Sequence, residues 1–380
     1  MTASVPPAPG PPRERLPALD FLRFVAASMV VLFHYGYRGA VDGTYTSVAF
    51  PELAGIAKYG SFGVNLFFVI SGFVILLTVD AGGGRPAHFV ASRISRLFPA
   101  FWVAATLTFV LCVIAAAPFA VGLSDYLLNL GMLPTWFGAA YVDGSYWTLE
   151  VELHFYLVIV LYLLVLRRYL RIEWLLVAWL LVVLPLIPGH LGPTRFRLLL
   201  MADAAPYFAA GCAFYRVWRH GWTGLRIAII AASWVMACAM AARDAFAASA
   251  TYATDFSPLV AAAVASLGFV AFAALCLRPA WFRLGGAKAT LLGALTYPLY
   301  LVHEYIGYLV LNAVGPAWGR WIALAVTIAV VVVLAIAINV LVERRFNGRF
   351  RRWLEPRLAA LDRAATAVHL RLPVLRGNEP

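Results

Sequence analysis

Charge is scarce in this sequence. Of its 380 residues only 13% are Asp, Glu, Lys or Arg, while 63% are apolar. So little charge excludes an ordinary soluble domain, whose surface needs far more of it. Runs such as Trp321 to Val342, in which every residue is uncharged, have the length of bilayer-spanning helices. Lysine is nearly missing, with Lys58 and Lys288 the two among 30 basic residues. A net charge of +12 on so apolar a chain belongs to orienting loops, which argues against a nucleic-acid partner.

Cysteine is sparse as well. Cys112, Cys212, Cys238 and Cys276 are scattered singly through apolar runs. That excludes the paired spacing of metal and redox motifs and leaves them as packing residues. The first apolar run carries Asp20 and Arg23 at its start and lacks a small-x-small cleavage site, so it is not a removable signal peptide. No tandem repeat and no Asn-x-Ser/Thr sequon occurs.

What remains reads as an all-α, polytopic integral membrane helix bundle. Ten spans are expected, at 18–36, 62–79, 97–117, 146–166, 173–188, 198–217, 225–243, 258–277, 291–312 and 320–342. Residues 1–14 are Pro-rich (VPPAPGPP) and read as a disordered cytoplasmic tail. Residues 15–346 form the transmembrane domain, and 347–380 are a basic, amphipathic tail expected to lie at the inner interface. Asp125 to Phe137 is too short to span and is expected to be re-entrant or interfacial. With the N-terminus inside, 23 basic residues fall on the cytoplasmic side and six outside. The positive-inside rule then puts both termini in the cytoplasm.

Ionisable side chains within a bilayer cost about 2.5–3.5 kcal/mol or more each at mid-depth and need a reason. Arg23 and His34 stand on one helix with nothing ionisable between them. Eleven residues of helix correspond to roughly 16 Å. Toward the outer half lie His34, Glu150, Glu152 and His154; toward the inner face lie Arg23, Arg93, Arg96 and Glu343; His303 is about midway. Helical spacing divides the cluster after residue 146, putting Trp147, Glu150 and His154 on one stripe and Glu152 with Tyr156 on another. Glu304 follows His303 directly, but no second His follows at metalloprotease spacing, so no metal site is expected. His154, His190, His220 and His369 read as structural or surface residues.

Five stretches in order carry a resemblance: LDFLRFVAASMVVLFH, FGVNLFFVISGF, SRISRLFPAFW, YWTLEVELHFYL and LTYPLYLVHEYI. Together they resemble the membrane acyltransferase-3 family, bacterial proteins that O-acylate envelope and exported glycans or natural products. The likeness covers about residues 15 to 346. It implies an acyl-CoA-dependent O-acyltransferase of the bacterial cytoplasmic membrane. Arg23 and His34 match the family's Arg and His of helix 1, and Arg93 and Arg96 its cytoplasmic Arg pair. Glu152 matches the acidic residue of its Trp-Ser/Thr-Leu-x-Val-Glu signature, with Glu150 at a variable position, and Tyr300 and His303 match the penultimate signature. After the last span the family often has Glu-x-Pro, whereas this chain has Glu343, Arg344 and Arg345. The soluble esterase-like domain fused to some relatives is not expected.

The residue chemistry agrees with the implied activity. Arg23, Arg93 and Arg96 would hold the phosphates of acyl-CoA, most simply acetyl-CoA, by charge-assisted hydrogen bonds. His34 would act as general base on a hydroxyl of a carbohydrate or glycosylated acceptor. Glu152, if it faces His34, would orient the imidazole. Tyr300, His303, Glu150 and Asn65 complete the expected site as substrate-binding residues. Direct transfer is favoured, as no activated Ser or Cys is apparent, though an acyl-enzyme step stays open. A different class is a proton-coupled transporter or flippase with His34, Glu150, Glu152 and His303 as a relay.

Overall fold

The computed structural model describes residues 16–116, 118–189 and 194–371. The expected tail at 1–14 and His190 lie outside these, as does the side chain of His369. The described residues are all-helical, and seven of their helices are long and apolar enough to cross a membrane. The chain is a multi-pass membrane protein.

The first helix, α1 (Pro17–Phe33), opens with Pro at its start and passes into a π-helical turn at His34–Arg38. A π turn adds a residue to the helical ladder and re-aims the side chains beyond it. Here His34 sits at the transition, and its carbonyl accepts from Gly39 N at 2.9 Å. A short α2 (Pro51–Ala57) leads through a 3-10 turn into α3 (Gly63–Ala81), and α4 (Pro86–Ala115) comes after a glycine turn. The segment expected to be re-entrant or interfacial holds a two-turn helix, α5 (Leu123–Asn129), and a 3-10 turn at Pro134–Phe137. It leads to α6 (Trp147–Leu161), which ends in a second π turn at Tyr162–Leu166.

Three of the ten expected spans take shorter forms. The stretch at 173–188 is α7 (Ile172–Val183) with a 3-10 extension to Leu186. That at 198–217 divides into α8 (Thr194–Leu199) and α9 (Ala205–His220). Helices α10 (Gly224–Tyr252) and α11 (Pro258–Leu277) are long, but the stretch at 291–312 breaks at His303 into α12 (Gly286–Val302) and α13 (Glu304–Trp318).

The break has identifiable partners. Pro298 has no N–H to give the carbonyl four residues back, and Ala294 O accepts from Asn339 Nδ2 at 3.1 Å. Beyond it, Leu301 O accepts from the Tyr146 hydroxyl at 3.0 Å and His303 O from the Tyr35 hydroxyl at 2.5 Å. Asp143 then supplies an N-terminal anion for α13, taking the N–H of Tyr305 at 3.0 Å on Oδ2 while Oδ1 binds Ser145.

The last span, α14 (Arg320–Ile338), runs through a π turn at Asn339–Glu343 into α15 (Arg344–Arg357) without interruption, followed by α16 (Ala359–Arg371). These last two helices pack on the start of α4. Glu355 pairs with Arg85 and with His88, and Asp362 Oδ1 accepts the N–H of Ala87 at 2.9 Å. In the middle of the bundle α3 and α9 meet at Gly72 and Gly211, whose Cα atoms leave no room for side chains.

Candidate active site

A cavity of about 110 Å³ opens among α1, α3, α4, α6 and α12, lined by Arg23, Ser71, Arg93, Arg96, Glu152 and Tyr300 among others. Five separated stretches of sequence thus meet in one place. Arg23 is held by Asp20, one turn before it on α1, at 2.8 Å. Arg93 donates from Nη2 to Thr78 Oγ1 at 3.0 Å and Ser92 Oγ at 3.3 Å, while its buried Nε has no partner among the described residues. Its guanidinium lies 5.9 Å from the ring centroid of Tyr156.

Glu152 belongs to this cavity and not to His34. Its Oε1 accepts from Ser71 Oγ at 2.6 Å and from the Tyr156 hydroxyl at 2.5 Å. The expected pairing of Glu152 with His34 is therefore corrected. The reason is helical: residues four apart share a face, so Glu152 accompanies Tyr156 into the arginine cavity.

His34 meets a different carboxylate. Its Nδ1 is 2.9 Å from the Tyr308 hydroxyl and 3.4 Å from Glu304 Oε1. Both partners come from the first turns of α13, four residues apart, so the break at His303 is what brings them to His34. Glycine permits the approach, since a Cβ on Gly39 would meet the Tyr308 ring at 2.5 Å.

His303 connects the two regions. Its ring centroid is 5.3 Å from that of Tyr300, which lines the cavity, and 5.0 Å from that of His34. His303 Nδ1 donates to Tyr300 O at 2.8 Å, and Nε2 is buried without a partner among the described residues. The Tyr300 hydroxyl is 2.7 Å from Thr148 Oγ1 and donates to Ser145 O at 3.0 Å. An arginine-lined cavity and a histidine are thus joined through two aromatic rings.

Two expected site residues lie elsewhere. Glu150 is fully buried and outside the cavity lining, accepting from Thr135 Oγ1 at 2.5 Å and the Tyr141 hydroxyl at 2.7 Å. Four residues on, His154 donates from Nδ1 to Glu150 O and accepts from Trp136 Nε1, at 2.7 and 2.8 Å. This stripe fastens the segment before α6. Asn65 Nδ2 donates to the Tyr207 hydroxyl at 3.0 Å and is likewise outside the cavity lining. Glu343 is buried and accepts from Asn339 at 2.7 Å. Among the described residues no hydrogen bond joins His34, Glu150, Glu152 and His303 into a relay, and no group of three or more His, Cys, Asp or Glu side chains could hold a metal ion.

Sequence reasoning missed Glu304 and Tyr308 as neighbours of His34. The His303-Glu304 dipeptide was the visible signal, but its relation to His34 spans 270 residues of chain.

Comparison with known proteins gives the family. A stretch of 45 residues is 42% identical to the exopolysaccharide production protein ExoZ of Rhizobium meliloti (strain 1021), and it spans 12% of this chain and 14% of that protein. The chain thus matches only a small part of that relative's length. No solved structure matches. The model of the acyltransferase 3 family, described as an acyltransferase domain, matches residues 16–340; the chain belongs to this family.

Proposed function

We propose that the protein is an O-acyltransferase of the bacterial cytoplasmic membrane. It moves an acyl group, most simply acetyl, from cytoplasmic acyl-CoA to a hydroxyl of a carbohydrate or glycosylated acceptor. The observation that carries this reading is the joining of the cavity bearing Arg23, Arg93 and Arg96 to His34 through the rings of Tyr300 and His303. Three guanidinium groups suit the phosphates of acyl-CoA, and the Nε of Arg93, without a partner among the described residues, is a donor awaiting an acceptor. The apolar walls, with Val64, Phe67 and Val74, suit the pantetheine arm.

At the far end His34 takes the proton of the attacking hydroxyl as the new ester bond forms, and returns it to the sulfur as the carbon–sulfur bond breaks. Its Nδ1 is engaged by α13, which leaves Nε2 for that transfer. Glu152 acts from the cavity, where it interacts electrostatically with Arg93 and holds Tyr156 beneath it. The similarity to an exopolysaccharide production protein favours a polysaccharide acceptor, presented from the outer side.

The test is label transfer from radioactive acetyl-CoA to envelope polysaccharide by membranes carrying the protein. Transfer by the wild type and its loss in His34→Ala is the expected result. Equal incorporation by membranes lacking the protein would overturn the reading.

A further inference from the structure

We infer that Glu304 is the positioning residue of His34, fixing its tautomer and stabilising its cationic form during acyl transfer. The inference rests on the proposed role of His34 and adds to it the group that makes the imidazole an effective base.

The geometry around His34 is specific. Glu304 is buried, with Oε1 at 3.4 Å from Nδ1 and Oε2 lacking any partner among the described residues. A carboxylate in such a place, with one oxygen unpaired, is costly unless it serves a charge that appears nearby. His34 is within reach to provide one. An ionised carboxylate only accepts, so Glu304 beside Nδ1 favours the neutral tautomer protonated there, and that N–H donates to the Tyr308 hydroxyl at 2.9 Å. The lone pair is then on Nε2.

When Nε2 takes the acceptor's proton, the acceptor oxygen bonds to the thioester carbon. The carbon–sulfur bond breaks and the Nε2 proton passes to the thiolate. In its ionised form Glu304 stabilises the imidazolium between the two transfers.

A second feature keeps the carboxylate in place. It rests against Gly144, where an added Cβ would meet Oε1 at 2.6 Å. The next residue back, Asp143, ties the start of α13 through Tyr305 N. Glycine at 144 thus leaves room for the Glu304 carboxylate, and Asp143 fixes the helix that carries it. Glu304 is also the acid next to His303, whose ring packs at 5.0 Å on that of His34.

The experiment uses the full chain in lipid nanodiscs and reads His34 directly, by mass spectrometry of its carbethoxylation with diethyl pyrocarbonate across a pH series. The groups facing His34 are His303, Glu304, Tyr308 and Arg38, with Asp143 behind Glu304, and of these only Glu304 is changed. In Glu304→Gln, which keeps size and shape, the pH of half-maximal labelling moves down by about one unit or more. Gly144→Ala moves it in the same direction by less. With acetyl-CoA as donor and methyl glucoside as probe acceptor, kcat in Glu304→Gln falls roughly 100-fold at unchanged KM for acetyl-CoA, and Glu304→Asp recovers part of it.

An unchanged labelling midpoint in monodisperse Glu304→Gln protein overturns the inference, whatever the transfer assay shows. A shifted midpoint without transfer by the wild type would instead keep Glu304 as the partner of His34 and remove the acyltransfer reading.

Discussion

Tyr156 donates to Glu152 one turn back on α6 at 2.5 Å, and the same ring lies 5.9 Å from the Arg93 guanidinium. One side chain thus contacts both a carboxylate and an arginine of the cavity. In Tyr156→Phe the hydrogen bond is lost and Glu152 is free to pair with Arg93. Acetyl-CoA affinity is expected to fall roughly tenfold, the worth of one charge-assisted hydrogen bond, with the fold retained. Calorimetric titration of the detergent-solubilised variant checks it, and unaltered affinity would remove Tyr156 from the donor site.

The contact of α3 with α9 makes a prediction about stability. A Cβ on Gly211 would meet Gly72 Cα at 3.0 Å and Phe73 N at 2.9 Å, with Val69 O also in the way. Backbone cannot retreat as a side chain can, so Gly211→Ala should cost about 1–3 kcal/mol. A lower midpoint in a thermal unfolding assay is the expected sign.

Glu150 and His154 are expected to matter for order and not for chemistry. Glu150→Gln leaves one of the hydroxyl donors, Thr135 or Tyr141, without its carboxylate acceptor, at about 1–3 kcal/mol. Hydrogen exchange in residues 123–146 should rise, while acetyl-CoA affinity stays at the wild-type value. A loss of affinity with unchanged exchange would return Glu150 to the binding site.

The C-terminal helices supply a further test. Glu355→Ala/Asp362→Ala removes the partners of Arg85, His88 and Ala87 N. These pairs are partly exposed and contribute about 1 kcal/mol or less to stability. Faster proteolysis within α15 and α16 is expected, with the midpoint of global unfolding nearly unchanged.

Much of this arrangement is legible in the sequence wherever it depends on local spacing. The separation of Glu152 with Tyr156 from Glu150 with His154 comes from helical periodicity, and both pairs occur in the fold. Arg23 and His34 are readable as residues of one helical stretch, and they lie so, with Arg23 within α1 and His34 just past its end. The break at His303 is not readable, because Leu-Val-His-Glu-Tyr-Ile carries no Gly or Pro at the break itself. It is held by Tyr35, Tyr146 and Asp143, which arrive from distant parts of the chain. For the same reason local spacing points to the wrong helix for the carboxylate of His34. The basic tail reads as lying at the membrane surface, and its fastening to α4 through two of its few acidic residues, Glu355 and Asp362, is not readable from local spacing.

The account stands most directly on the arginine cavity as the donor site. Calorimetric titration of acetyl-CoA into the purified protein, with Arg93→Ala/Arg96→Ala and His34→Ala alongside, tests it. Saturable binding that weakens roughly tenfold or more in the arginine variant and persists in His34→Ala is the predicted result. Failure of the folded wild-type protein to bind acetyl-CoA or longer acyl-CoAs, or equal binding by the arginine variant, would contradict it.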